Sequence, residues 1–177
     1  MKHLYIVRHA KSCWKLEDQL ADRHRPLSKK GERQATELEK VFRALEFKEG
    51  SIVTSHATRA METALYVQRG MQNRVGITIN PDIYDLHLTT NGAGVSRIID
   101  IIKDELTFRD TVVLVGHNPM LNALVRFLAG YWLDEANPDW FVDGELWMKA
   151  GRCIRFDFKR PKDVGRTEHR PHDVIPN

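Results

Sequence analysis

The sequence predicts an α/β fold in which a mostly parallel sheet lies between two layers of helices. Short apolar runs alternate with segments whose apolar residues recur at helical spacing, the pattern typical of this fold class. Two of these runs, residues 4–7 and 111–115, are each followed two residues later by a histidine, His9 and His117. Ligands of parallel sheets bind beyond the carboxyl ends of the strands. We therefore expect both imidazoles at one sheet edge.

The elements of the first half follow from local patterns. A polar stretch over residues 15–25 indicates a loop that crosses the sheet edge. Helical spacing of apolar residues over 35–45 predicts a helix, which Ser28 is placed to cap. A β-branched strand over 51–55 then precedes a second helix with an apolar stripe over 57–65.

The middle of the chain continues the alternation. Residues 77–80 are a weaker strand candidate, residues 81–94 are expected to be mostly loop, and apolar spacing predicts a third helix over 95–102. The strand over 111–115 leads to Asn118 as the expected N-cap, with Pro119 at the first helical position, where proline is favoured.

The last helix and the closing strands complete the predicted order. Apolar spacing extends this helix to Leu128, and Gly130 is placed to end it. Residues 145–148 and 152–158 have the character of closing strands, which suggests an antiparallel hairpin around Ala150-Gly151.

Length and composition favour one domain. The 177 residues suit a domain over 1–160, followed by a polar tail over 161–177 whose three prolines and lack of apolar periodicity predict loose attachment. Basic and acidic residues are interspersed, with a net charge of +3, which does not indicate a nucleic-acid partner. Neither a signal peptide nor a membrane span is evident, so a cytoplasmic location is expected.

Five residues have the chemistry of a phosphate site. Arg8, His9 and Ser12 follow the first strand, Arg59 lies in the first turn of the helix after the second strand, and His117 follows a later strand. Arginine suits phosphate because its planar guanidinium forms bidentate hydrogen bonds and stays charged at any working pH. Together these side chains predict a compact, positively charged pocket.

These residues lie in segments that resemble the histidine phosphatase superfamily, and within it the short SixA-like phosphohistidine phosphatases. The resemblance implies a three-layer α/β/α sandwich of the phosphoglycerate mutase-like type. Four segments, in the family's order, cover most of residues 1–130. They are Arg8-His9-Ala10-Lys11-Ser12, the loop from Arg25-Pro26-Leu27-Ser28 to Ala35, Ser55 with Arg59 to Ala64, and Gly116-His117-Asn118-Pro119.

The resemblance also implies roles for these residues. His9 would be the nucleophile and would carry the phosphoryl group transiently, while Arg8, Arg59 and His117 hold the phosphoryl oxygens. Ser12 would add a neutral donor. The resemblance requires no metal and no cofactor. For the general acid, the family usually supplies a glutamate from the loop after the third strand.

Asp85 is the candidate general acid at that position, although an aspartate is shorter than the usual residue. A phosphohistidine substrate relaxes the need for an acid, because imidazole departs from phosphorus more readily than an alkoxide does.

Three functions are compatible with the sequence. The leading hypothesis is a metal-independent phosphatase acting on phosphohistidine in a protein. A phosphatase for a small phosphorylated metabolite is the second, and a catalytically silent phosphate-binding interaction module is the third. The intact set of arginines and histidines favours an enzyme, since a silent module is free to lose any of them. The expected partner is a phosphorylated protein or a small phosphorylated substrate, with neither nucleic acid nor membrane involved.

Overall fold

The computed structural model describes residues 1–15, 19–45, 47, 49–86, 88, 92–135 and 138–174. Within them the chain forms helices α1 to α5 and strands β1 to β8, joined by loops and 3-10 turns. In chain order these are β1 (Lys2–Arg8), α1 (Lys29–Ala44), β2 (Ser51–Thr54), α2 (Thr58–Gly70), β3 (Gly76–Ile79), α3 (Asp82–Asp85), α4 (Gly92–Phe108), β4 (Thr111–Gly116), α5 (Met120–Ala129), β5 (Phe141–Val142), β6 (Glu145–Leu146), β7 (Cys153–Phe158) and β8 (His172–Asp173).

The main sheet has six strands in the order β3-β2-β4-β1-β7-β8. The first four run parallel to one another, whereas β7 is antiparallel to β1 and β8 is antiparallel to β7. The predicted mostly parallel sheet is therefore confirmed. Its amino-terminal strand lies in the interior of the sheet, between β4 and β7.

Helices cover both faces of this sheet. Helices α1 and α2 pack on one face around Tyr5, Val7 and Val113, while α4 and α5 pack on the other around Leu4, Ile6 and Leu114, among others. Strands buried on both faces need continuous apolar sequence, which explains the unbroken runs in β1 and β4. The three-layer α/β/α sandwich is thus confirmed. Among the described residues, every helix is too short or too polar to cross a bilayer.

The start of α1 is locked against the segment that follows β1. Ser28 Oγ accepts a hydrogen bond from the Gly31 amide at 3.1 Å, which confirms the predicted cap. The Ser28 amide and hydroxyl both donate to the Lys11 carbonyl, at 2.9 and 3.0 Å. A Cβ on Gly31 would lie 2.0 Å from the same carbonyl oxygen, so only glycine allows this close approach.

Two local predictions in the middle of the chain are wrong. The segment 81–94 was expected to be mostly loop, but it contains α3 and the start of α4. Helix α3 begins where Asn80 Oδ1 accepts from the Asp82 amide at 3.0 Å, a turn that apolar periodicity does not reveal.

Asn118 does not cap α5, because Pro119 occupies the N-cap position and the helix begins at Met120. The Asn118 amide instead donates to the Met148 carbonyl at 2.9 Å. This hydrogen bond joins the segment that follows β4 to the segment between β6 and β7.

The predicted hairpin around Ala150-Gly151 is also wrong. Strand β6 pairs with β5 through a turn at Asp143 and Gly144, where φ is +51° and +78°, the values that a two-residue hairpin turn of this Asp-Gly type requires. Strand β7 pairs instead with β1. Gly151 lies at the ends of these strands, and its amide donates to the carbonyls of Arg8 and His9 at 3.1 and 3.3 Å.

The tail, predicted to be loosely held, is packed over residues 161–174. A 3-10 turn over Pro161–Gly165 buries Val164 completely, and β8 extends the sheet. Asp173 Oδ2 in β8 accepts from Arg152 Nη1 at 2.8 Å and from Trp140 Nε1 at 3.3 Å. Burial of the single side chain of Val164 and the polar contacts of Asp173 hold this segment, and neither produces an apolar periodicity in the sequence.

We predict that Asp173→Ala lowers the free energy of unfolding by about 3 kcal/mol, because it removes a carboxylate from a buried guanidinium. The Arg152 side chain is 7% exposed and pairs with Asp173 at 2.8 Å. Urea denaturation of both proteins measures the change. As a control, Glu37→Ala removes the exposed partner of Lys40 and should cost less than about 0.5 kcal/mol. Equal, small losses in the two variants would contradict the prediction.

Candidate active site

The carboxyl ends of three parallel strands bring the candidate residues together. His9 comes directly after β1, Ser55 directly after β2 and His117 directly after β4. The His9 amide donates to the Gly116 carbonyl at 3.1 Å, and the rings of His9 and His117 have centroids 4.8 Å apart. The two imidazoles therefore meet at one sheet edge, as the strand ends indicated.

The hydrogen bonds of His9 define its tautomer. Its Nδ1 lies 2.8 Å from the Ala10 carbonyl oxygen, which can only accept, so Nδ1 carries the proton. Its Nε2 lies 3.3 Å from Arg59 Nε, which can only donate, so Nε2 presents a lone pair. The ring thus has the form of a nucleophile with its reactive nitrogen turned toward a cation.

The surroundings of His9 keep it neutral. Burial lowers its pKa to about 3, and the charges of Arg59 and Arg8 act in the same direction, against the opposing effect of the hydrogen bond to Ala10. At neutral pH the imidazole is unprotonated, and its lone pair is available for attack.

Two arginines supply positive charge beside this nucleophile. Arg59 is only 5% exposed although it lies in the first turn of a helix, where arginine is usually solvated. Arg8 is partly buried, and its Nη1 donates to the Met148 carbonyl at 2.6 Å. Burial and then the charge of Arg59 lower the pKa of Arg8, but a guanidinium stays charged in proteins.

His117 is buried beside these groups. His117 Nε2 lies 2.6 Å from Ser55 Oγ, and the rings of Tyr84 and His117 pack nearly perpendicular to each other with centroids 5.5 Å apart. Ser12 is buried after β1, where its backbone forms an isolated bridge with Leu27. The structure thus brings four of the six predicted site residues, Arg8, His9, Arg59 and His117, together at the strand ends, and it buries the fifth, Ser12, in the segment after β1.

The sixth, Asp85, is placed differently. It is the last residue of α3 and its side chain is exposed, and within the described part of the chain no hydrogen bond or ion pair joins it to either histidine. Its neighbour Tyr84 faces the site instead, with its ring 5.0 Å from that of His56 and 6.0 Å from Arg59 Cζ. The role of Asp85 as proton donor stays a prediction.

Sequence reasoning missed two residues that lie against the site, Tyr84 and Asp22. Asp22 belongs to a 3-10 turn, Asp22–His24, in the loop between β1 and α1. Its carboxylate accepts from Arg59 Nη2 at 2.8 Å, from the Tyr84 hydroxyl at 2.9 Å and from Arg25 Nη2. The sequence signal for Asp22 was the oppositely charged Arg25 three residues later, but charge pairs at this spacing are also common in solvated loops.

This arrangement can bind and transfer a phosphoryl group. A neutral imidazole lies at the strand ends with its Nε2 lone pair facing the guanidinium of Arg59, and a second guanidinium, that of Arg8, lies nearby. Within the described residues, no three or more His, Cys, Asp or Glu side chains are grouped so as to hold a metal ion. The geometry is compatible with phosphoryl transfer on a histidine.

Comparison with known proteins gives the family. Residues 4–91, which include His9 and Arg59, match the model of the histidine phosphatase superfamily (branch 1). The chain belongs to this superfamily, as its motifs indicated. An uncharacterised chloroplastic protein of Arabidopsis thaliana is 28% identical over 132 residues, which span 73% of this chain and 60% of that relative.

Solved structures share the fold over nearly the whole chain. The SixA protein of Agrobacterium tumefaciens superposes with a TM-score of 0.76 at 21% identity, covering 99% of both chains. The protein histidine phosphatase SixA complexed with tungstate gives 0.70 at 14% identity and 97% of both chains. An α-ribazole-5′-P phosphatase of Escherichia coli gives 0.64 at 17% identity, covering 91% of this chain and 93% of that chain.

We predict that His9 makes the protein less stable in mild acid. The unfolded chain binds a proton on this imidazole below its ordinary pKa of about 6.5, whereas the folded chain does so only near a pKa of about 3. Stability should therefore fall as the pH decreases from 6.5. Between pH 7 and pH 5 the wild type should lose about 2 kcal/mol more than His9→Asn, measured by urea denaturation. Parallel pH profiles of the two proteins would contradict this account.

Proposed function

We propose that the protein is a phosphatase that forms a phosphohistidine intermediate on His9 and acts on phosphohistidine carried by proteins. The observation that carries the proposal is the neutral His9 ring, whose Nε2 lone pair faces Arg59 at 3.3 Å. A buried imidazole of this form is a ready nucleophile, and the cation beside it lies where negative charge develops during phosphoryl transfer.

The first step is attack by His9 Nε2 on the substrate phosphorus. A bond forms between phosphorus and Nε2 while the bond from phosphorus to the leaving nitrogen or oxygen breaks, and the leaving group takes up a proton. Arg8 and Arg59 stabilise the charge on the phosphoryl oxygens, and His117 and Ser12 provide further donors. The Nδ1–H bond to Ala10 holds the ring as the positive charge develops on it.

In the second step water attacks the phosphoryl group and the bond to Nε2 breaks. Inorganic phosphate leaves, a proton from water is released, and His9 returns to its neutral form. Two displacements at one nitrogen replace a single difficult hydrolysis, which is the advantage of a covalent intermediate. No step needs a cofactor.

Features of the pocket's surroundings support a phosphoprotein as substrate. Trp14 is 56% exposed and packs on Arg25, with its ring centroid 3.7 Å from Cζ, while Trp147 is 42% exposed and lies 5.3 Å from Arg8 Cζ. Exposed aromatic side chains are the residues that protein interfaces favour. The connection from Ile79 at the end of β3 to Gly92 at the start of α4 is also short, which leaves little chain for a lid over a small metabolite.

We predict that the protein, assayed with chelator present, hydrolyses a phosphohistidine protein with a higher kcat/KM than small phosphomonoesters. Brief exposure to substrate should label one histidine with a phosphoryl group that is labile in acid and stable in base. His9→Ala should abolish both turnover and label while the protein still folds, as judged by circular dichroism.

The matched control is His3→Ala, at the opposite end of the same strand, which should keep both activity and label. A higher kcat/KM for a small phosphomonoester would favour the metabolite phosphatase. Absence of turnover with retained phosphate binding would favour the interaction module, and activity that requires a divalent ion would contradict the mechanism.

A further prediction concerns Asp85 and the leaving group. An alkoxide needs a proton as it departs, and a positioned acid contributes about 10²–10⁴-fold to such steps, whereas imidazole needs this help much less. If Asp85 is the acid, Asp85→Asn should reduce phosphomonoester hydrolysis severely and phosphohistidine hydrolysis only mildly. Measuring kcat/KM for both substrates on one preparation tests this. Equal effects on both, or no effect on either, would exclude Asp85 from the mechanism.

A further inference from the structure

Asp22 joins three residues that border the pocket. Its Oδ2 accepts from both Arg59 Nη2 at 2.8 Å and the Tyr84 hydroxyl at 2.9 Å, and its Oδ1 accepts from Arg25 Nη2. Its backbone carbonyl also accepts from Arg59 Nη1 at 2.6 Å. Asp22 alone therefore accepts hydrogen bonds from both terminal nitrogens of the Arg59 guanidinium. Its carboxylate also accepts hydrogen bonds from Tyr84 and Arg25, which hold it in place.

The shape of a guanidinium gives these contacts a direction. Its N–H groups lie in one rigid plane, so fixing one edge also fixes where the others point. Asp22 holds the edge formed by Nη1 and Nη2, and the neighbouring Nε–H points at His9 Nε2, 3.3 Å away. Because Asp22 fixes one edge of the rigid guanidinium, it also fixes the direction of the Nε–H group that faces His9.

We propose that Asp22 is a positioning residue, which orients Arg59 so that its Nε edge meets the phosphoryl group transferred to His9. This inference rests on the proposed function, and it assigns Asp22 no contact with the reacting atoms. Arg25 and Tyr84 take part by holding the carboxylate in place. Orientation of this kind matters because a displacement of about 1 Å at a reacting centre can cost on the order of 10²-fold in rate.

A role as general acid fits Asp22 less well. Partial burial tends to raise the pKa of its carboxyl, but hydrogen bonds from Arg59, Tyr84 and Arg25 outweigh this and hold the pKa well below its usual range. The group is therefore ionised at any pH near neutrality and has no proton to give. An ionised carboxylate with these donors is suited to holding a cation.

The test is a double-mutant cycle with Asp22→Asn and Arg59→Lys. Asparagine keeps the size of the side chain but presents one amide nitrogen toward donors, so one arginine loses its acceptor. In the wild-type background Asp22→Asn should lower kcat by about 10–100-fold with little change in KM. In the Arg59→Lys background, where no planar guanidinium remains to be oriented, it should change kcat by less than about threefold.

A matched control is Asp157→Asn, which also removes a partly exposed carboxylate from an arginine, Arg155. Asp157 contacts His3, which is six residues before His9 on β1, or roughly 20 Å along the strand. This variant should keep wild-type kcat. Circular dichroism melts of all variants separate loss of activity from loss of fold. Asp22 is 47% exposed in a surface turn, so its substitution should leave the protein folded.

Three outcomes would overturn the proposal. Losses that multiply in the double variant would mean that Asp22 acts independently of Arg59. A loss much larger for phosphomonoesters than for phosphohistidine would make Asp22 a proton donor. Unchanged kcat with a lower melting temperature would leave it a purely structural role.

Binding of tungstate, measured by calorimetry without turnover, separates this proposal from the proposed function. If the chain hydrolyses no substrate, but Asp22→Asn weakens tungstate binding in the wild type and not in Arg59→Lys, the positioning role stands and the phosphatase activity fails. If tungstate binding is equal in the wild type and Asp22→Asn, the positioning role fails, whatever the activity.

Discussion

The parallel pairing of β1 with β4 is the constraint on which the site depends. In this register Arg8 lies opposite Gly116, so the two strands end together and the histidines that follow them become neighbours. A slip of one residue would turn every side chain of β1 to the other face of the sheet, which both helical layers forbid. The distance between the two imidazoles is therefore set by the register of two central strands, and the loops that follow complete the candidate site.

The site also depends on partners that compensate its buried positive charges. Arg25 and Arg59 are each 5% exposed, and Arg8 is partly buried beside them. Removing guanidinium groups from water is costly unless partners compensate, and in this cluster Asp22 pairs with two of the three. Burial, together with the charges of Arg59 and Arg8, keeps His9 neutral. An anion bound at this candidate site would thus meet guanidinium donors beside an unprotonated imidazole.

Periodicity explains why the sequence predicted so much of this. Apolar runs and helical spacing depend on burial, so they revealed β1, β4 and the helices on both faces, and the strand ends in turn indicated where His9 and His117 meet. Asp22 and Tyr84 escaped detection because hydrogen bonds between distant loops leave no period in the sequence. The same holds for the tail, which is held by the pair between Arg152 and Asp173. The hairpin forms at Asp143 and Gly144 and not around Ala150-Gly151, because Asp143 and Gly144 adopt the positive φ angles that the turn requires.

The position of β1 in the middle of the sheet has a consequence for when the candidate site forms. During synthesis β1 emerges first, but its neighbours β4 and β7 begin more than 100 residues later. Contacts of such long range form late and slowly, because a large loop must close before they stabilise anything. A nascent chain therefore carries His9 exposed and without its cationic pocket for most of its synthesis. Assembly of the sheet and assembly of the site are the same event, so partly folded molecules lack the binding geometry altogether.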